Sequence, residues 1–128
     1  MVIGLLGDGT QSEHLVAGIL VKEYGYDLRL LRDSLERILP LDGFYLGKNI
    51  VIPGVHFESD AHHVSEVGGC LVRVSKIADP NKTLHRESFY LRSDFILLDD
   101  GSAQDLRIDV GRMLHYLDER TAIPVAAH

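Results

Sequence analysis

Val2-Ile3-Gly4-Leu5-Leu6-Gly7-Asp8-Gly9-Thr10-Gln11-Ser12-Glu13-His14-Leu15 decides the fold. Val2 to Leu6 contains no polar residue, and a short continuous apolar run of this kind predicts a buried strand of a parallel sheet. Gly7, Asp8, Gly9 and Thr10 form the turn that follows. From Gln11 to Tyr24 the apolar residues Leu15, Val16, Ile19, Leu20 and Tyr24 recur at helical spacing, and Gly25 ends the helix. A strand, a glycine-rich turn and a helix, in that order, have the layout of an anion cradle. The first backbone N–H groups of a helix have no partner within it and point back at the turn.

Outward from this unit the pattern repeats. Tyr26 to Leu39 is ambiguous: Leu28, Leu31, Leu35, Ile38 and Leu39 fit a helix, while Asp27 to Leu31 also fits a strand, and Pro40 closes the segment. Ile50-Val51-Ile52 predicts a second clear strand, turned by Pro53-Gly54. Phe57, Ala61, Val64 and Val67 trace one helical face, with Ser59 or Asp60 as the expected N-cap and Gly68-Gly69 as the stop. Cys70 to Val74 predicts a strand, the polar stretch 78–86 with Pro80 a loop, and Phe95 to Leu98 a further strand. Asp99-Asp100-Gly101 turns into a helix opened by Ser102, with Leu106, Val110, Met113, Leu114 and Leu117 on one face. Strands alternating with helices predict an α/β, three-layer architecture, with a mostly parallel sheet of about four to five strands flanked by helices. One domain over residues 1–120 and a loosely held tail over 121–128 are expected.

At 128 residues, 45% hydrophobic and 25% charged, the chain has the composition of a globular domain. The formal charge of −6 and the absence of a Lys/Arg block speak against nucleic-acid binding by phosphate neutralisation. No apolar run approaches the length needed to span a bilayer, so no membrane association is expected. The single cysteine, Cys70, excludes an intrachain disulfide and fits a reducing cytoplasmic setting. Its apolar surroundings predict a small core residue.

Ligands of parallel α/β sheets sit beyond the carboxyl ends of the strands. The candidate site therefore comprises Gly7, Asp8, Gly9, Thr10, Gln11, Ser12, Glu13 and His14, with His56 from the turn after the second clear strand and Lys76 near the end of the third. A working phosphate loop reads G-x-x-x-x-G-K-[ST], with the lysine on the β/γ-phosphates and the hydroxyl on magnesium. Counted from Gly7, the second glycine is Ser12, the lysine is Glu13, and His14 and Leu15 follow. Two unit charges about 4 Å apart interact by roughly 4 kcal/mol at an effective dielectric near 20, so an inward Glu13 replaces a large attraction by a repulsion. In the first turn of the helix its carboxylate is also welcome beside the dipole, which makes a structural role the expected one. A second pattern uses the same residues. Gly7-x-Gly9-x-x-Ser12 approximates the dinucleotide fingerprint, with Asp33 placed for a ribose, and it requires Asp27 to Leu31 to be the second strand.

The later motifs bring in a family. Ile50-Val51-Ile52-Pro53-Gly54-Val55-His56-Phe57-Glu58-Ser59-Asp60, then the helix ending in Gly68-Gly69, then Leu71-Val72-Arg73-Val74, resembles a stretch of bacteriophage-type deoxynucleoside monophosphate kinases. The family pattern there is a strand, Asp-Val-Arg-Phe with Asn-Glu close behind, a helix ending in Gly-Gly, and a strand of the form Val-Ile-Arg-Val. Ser93-Asp94-Phe95-Ile96 leading to Asp99-Asp100-Gly101-Ser102 is similar to the family's Asp-Tyr-x-Ile-x-Asn-x-Gly. The resemblance covers residues 2–39 and 49–118 and implies a P-loop nucleoside-phosphate kinase fold. It also exposes departures. The loop lysine is Glu13 and the hydroxyl residue is Leu15; the aspartate of Asp-Val-Arg-Phe is Gly54 and its arginine His56; Lys76 stands where an arginine is usual. A few residues between Pro40 and Asn49 replace the helical insert that binds the monophosphate. Phosphoryl transfer is positioning plus charge stabilisation, and the charge, the magnesium ligand and the positioning segment are all altered. The resemblance thus implies a pseudoenzyme with no catalytic residues and no expected cofactor, ATP and magnesium entering only with residual activity. A protein partner or a homo-oligomer is expected, in the host cytoplasm if the chain is phage-encoded, with a nucleotide as a possible ligand.

His14 and His56 are expected at the carboxyl end of the sheet, in the first place as solvated loop residues; if they faced each other across the loop, protonated rings could bind an anion. His62 and His63 are expected on the exposed face of their helix. No H-E-x-x-H or Cys/His pattern is present, so no metal site is expected.

Overall fold

A computed structural model describes residues 1–7, 11–31, 35–76 and 92–126, with residues 76 and 120–126 described by backbone alone. The elements run β1 (Val2–Leu6), α1 (Gln11–Tyr24), β2 (Asp27–Leu28), α2 (Leu35–Ile38), β3 (Ile50–Ile52), α3 (Glu58–Glu66), β4 (Cys70–Lys76), β5 (Phe95–Asp99) and α4 (Ala103–Ala126). The five strands form one sheet in the order β2-β3-β1-β4-β5, and every pairing is parallel.

Side chains alternate across a strand, so the apolar run of β1 feeds two cores. Ile3 and Leu5 join Val51, Val72, Val74 and Leu97 beneath Val16 and Leu20 of α1 and Leu106, Val110, Met113 and Leu117 of α4. Val2 and Leu6 join Ile50, Ile52 and Leu71 against Leu35 of α2 and Ala61 and Val64 of α3. The result is the expected three-layer α/β architecture. Cys70 packs, partly buried, against the first of these cores.

The ambiguous stretch divides. Asp27–Leu28 is a two-residue strand, extended by a hydrogen bond from the Arg29 N–H to the Val51 carbonyl (3.0 Å), and Leu35–Ile38 is a single helical turn. Two expectations need correction. The N-cap of α3 is Phe57, with no side-chain cap, so neither Ser59 nor Asp60 caps it; Glu58 and Asp60 instead place carboxylates in the first turn, where the dipole favours them. The last helix continues to Ala126 instead of yielding to a tail at Thr121. The stop of α3 is as expected: Gly68 takes φ +83°, and the Gly68 and Gly69 N–H groups bond back to the Ser65 and Val64 carbonyls.

Tyr26, buried at the end of α1, carries a pH-dependent contribution. Burial, reinforced by Asp118 and Cys70, pushes its phenol from 10.0 up to about 12. Below pH 10 the phenol is neutral in both states. Between the two values the unfolded chain releases the proton and the folded chain holds it, so stability falls as pH rises. Tyr26→Phe is therefore expected to flatten this alkaline limb. Urea midpoints of both proteins from pH 8 to about 12 check it, and parallel limbs would refute it.

Candidate functional site

β1 lies at the centre of the sheet, with β3 on one side and β4 on the other. After β1 the chain passes to the face covered by α1; after β3 it passes to the opposite face, with α3. Adjacent strands whose continuations part in this way leave a crevice at their carboxyl ends. Here the crevice lies between Gly7 and the start of α1 on one wall and the turn Pro53–His56 on the other. The second strand is separated from β1 by β3. In the dinucleotide fold's 3-2-1-4 order the second strand lies beside the first. Asp33, its proposed ribose ligand, lies outside the described residues.

Glu13 turns into the crevice and forms part of its wall. Its side chain is turned in and only 3% exposed. Oε1 accepts a hydrogen bond from the Gly54 N–H. The carboxylate also lies against Gly7, where a Cβ would meet Oε2 at 2.4 Å and Cδ at 3.0 Å, so the absence of a side chain at Gly7 is what admits it. Gly54 takes φ +81°, a conformation costly for any residue with a Cβ, and from it the amide reaches the carboxylate. A carboxylate in the first turn of α1 meets the positive end of the helix. Glu13 thus holds a carboxyl group inside the crevice, between Gly7 and the Gly54 amide.

Ser12 is turned the other way. It is 2% exposed, and its Oγ donates to Asp99 Oδ2 at 2.6 Å. Asp99, 6% exposed at the end of β5, accepts the Gly101 N–H on Oδ1 at 2.9 Å. This ties the first turn of α1 to the turn that launches α4. In that turn Asp100 Oδ1 accepts the Ser102 N–H (3.0 Å), and Ser102 Oγ caps the Asp105 N–H (3.2 Å). Asp99 is a site residue that reading the sequence missed. The signal was present: in Phe95-Ile96-Leu97-Leu98-Asp99 the aspartate shares the parity of buried Leu97.

The remaining candidates separate. Gln11 is exposed at the first position of α1. His14 is exposed and His56 half-buried, and both line one open cleft of about 340 Å³ with Glu13, Leu30, Pro53 and Gly54. Lys76 ends β4 in register with Asp99. Asp8, Gly9 and Thr10 lie outside the described residues, as does the 78–86 loop. His63 corrects an expectation. It is buried, and its Nε2–H donates to the Leu39 carbonyl after α2. His62 is exposed as expected and pairs with Glu66 one turn on (2.6 Å). Among the described residues, no group of three or more His, Cys, Asp or Glu could hold a metal ion, and no helix is long and apolar enough to cross a membrane.

Compared with protein families, curated proteins and solved structures, the chain matches none of them.

Proposed function

We propose that this chain is a degenerate relative of the bacteriophage-type deoxynucleoside monophosphate kinases, catalytically inactive, that acts by binding protein in a phage or phage-derived setting. One observation carries the reading: two departures from the kinase pattern touch each other. Position 13, a lysine in the pattern, is glutamate, and position 54, an aspartate in the pattern, is glycine. Glu13 accepts a hydrogen bond from the Gly54 amide. An aspartate at 54 would set a second carboxylate beside Glu13, and like charges that close disfavour one another. The two replacements therefore support one new arrangement, in which a side chain stands where a phosphate would be gripped. Leu15, exposed on α1, offers magnesium no oxygen.

A second reading has its own support. The cleft beside the loop presents His14 and His56 next to the apolar walls of Leu30 and Pro53, a combination that suits a small anion or nucleotide, with residual kinase activity as its strongest form. Thermal unfolding with ATP, deoxynucleoside monophosphates, NAD and NADP, with and without magnesium, separates the two. A ligand at a hundred times its Kd stabilises by about 2.7 kcal/mol, roughly ten degrees for a domain of this size. The inactive reading expects a flat response across the panel and no phosphate transfer from ATP. A rise of several degrees with any of them favours the second reading, and transfer from ATP refutes the first.

A further inference from the structure

We infer that the chain forms a two-fold homodimer through the β5 edge of its sheet and the flank of α4 beside it. Among the described residues β5 is an outer strand, hydrogen-bonded to β4 on one side only. Natural sheets protect such an edge with lysine, proline or a short strand. β5 reads Phe95-Ile96-Leu97-Leu98-Asp99, and Ile96 and Leu98 stand 55% and 51% exposed on the face opposite buried Leu97. Between the strand and α4 runs a groove of about 270 Å³, lined by Phe95, Leu97, Asp109 and Arg112 among others. Tyr116 continues the α4 flank, its ring 5.5 Å from that of Phe95.

The charges on this flank choose the occupant. Asp105, Asp109, Arg112 and Tyr116 follow one another at spacings of four, three and four residues, which puts them on one side of the helix. A two-fold axis lays this stripe antiparallel to its own copy, and the stripe is complementary to its own reversal. With Asp109 opposite the partner's Arg112, the same register sets Asp105 opposite the partner's Tyr116, a carboxylate facing a phenol. Each pairing occurs twice, as an isologous interface requires. Within one chain Arg112 and Asp109 are only loosely paired, at 3.7 Å, with the Arg112 side chain 77% and the Asp109 side chain 40% exposed, so a partner can reach both. The same axis through Leu97 pairs the two β5 strands antiparallel, brings Ile96 beside the partner's Leu98, and joins two five-stranded sheets into one. The dimer goes beyond the kinase-derived reading and is independent of it, because nucleotide binding at the crevice would leave this edge untouched.

Sedimentation equilibrium of the full chain, from about 1 to several hundred micromolar, tests it. That range brackets the affinities of modest interfaces. The expected result is a monomer–dimer equilibrium that Arg112→Asp weakens about tenfold or more, since two attractions become two repulsions. Asp109→Arg combined with Arg112→Asp restores it, and Leu98→Lys weakens it by placing charge on the edge. Leu98 and Arg112 are exposed and Asp109 half-exposed, so circular dichroism should report an unchanged fold. A monomer throughout the range overturns the inference, including the case in which the edge serves an extended segment of a different protein. So does a dimer indifferent to Arg112→Asp, or one that the double charge swap fails to restore.

Discussion

Glu13→Lys is expected to lose about 4 kcal/mol of unfolding free energy, because it puts an unpartnered cation into a buried position that now holds a hydrogen-bonded carboxylate. Three contributions act in the same direction. The Gly54 N–H, in a part-buried hydrogen bond, loses its acceptor, at a cost near the lower end of about 1–3 kcal/mol. A cation replaces an anion at the positive end of α1. The lysine side chain must also fit the space beside Gly7, into which Glu13 already packs closely. Two further variants separate these effects. Glu13→Gln keeps the shape and an oxygen for Gly54 and is expected to lose about 1 kcal/mol. Glu13→Ala leaves the amide without its acceptor but adds no charge, and is expected to fall between, near 2 kcal/mol. The order Lys, Ala, Gln in falling severity, read from urea unfolding at constant m, is the signature of a buried side chain that accepts a hydrogen bond. A solvent-facing glutamate would give three changes within about 0.5 kcal/mol of wild type, and that result would remove the main support for a filled loop.

How much of this was legible beforehand depended on the range over which each feature is decided. β1, β3, β4 and β5 announce themselves as apolar runs, and α1, α3 and α4 as apolar residues at helical spacing, because burial of one face imposes a local period. β2 and α2 have too few residues for any period to register: two exposed strand residues and one helical turn. Their conformation is imposed by neighbours, as where the Asp27 N–H bonds to the Asn49 carbonyl (2.8 Å). His63 was misread as exposed, although it stands four residues before Val67, hence beside it on the helix. Its burial depends on the Leu39 carbonyl, 24 residues away. The location of the crevice followed from the strand–turn–helix layout alone. Its content did not, since the inward turn of Glu13 is settled by an amide 41 residues downstream, beyond any local pattern. The altered loop residues could be counted in the sequence; that two of them meet could not.

The pair on the other side of the loop yields the second large effect. Asp99→Ala removes the acceptor of both the Ser12 hydroxyl and the Gly101 N–H. Bonds to a charged acceptor are worth about 1.5–3 kcal/mol each, so a loss near 3 kcal/mol is expected. Ser12→Ala deletes one of the two bonds and should cost about 1.5 kcal/mol by the same measure. The double variant should cost little more than Asp99→Ala alone, because once the carboxylate is gone the hydroxyl has lost that acceptor. A double-mutant cycle on urea unfolding is therefore expected to give a coupling of about 1–2 kcal/mol between residues 12 and 99. Strict additivity would mean that the 2.6 Å contact contributes nothing to holding the helix start in place. The consequence reaches the crevice. A hydroxyl committed to Asp99 points away from the loop mouth, while its neighbour Glu13 points into it, and the two residues together set the rotation of the first turn of α1. With Ser12 free to turn, Glu13 would be less firmly held, so Ser12→Ala should lower the cost of Glu13→Lys measured in its background. An unchanged cost would show that the two struts act separately, each anchoring its own side of the turn.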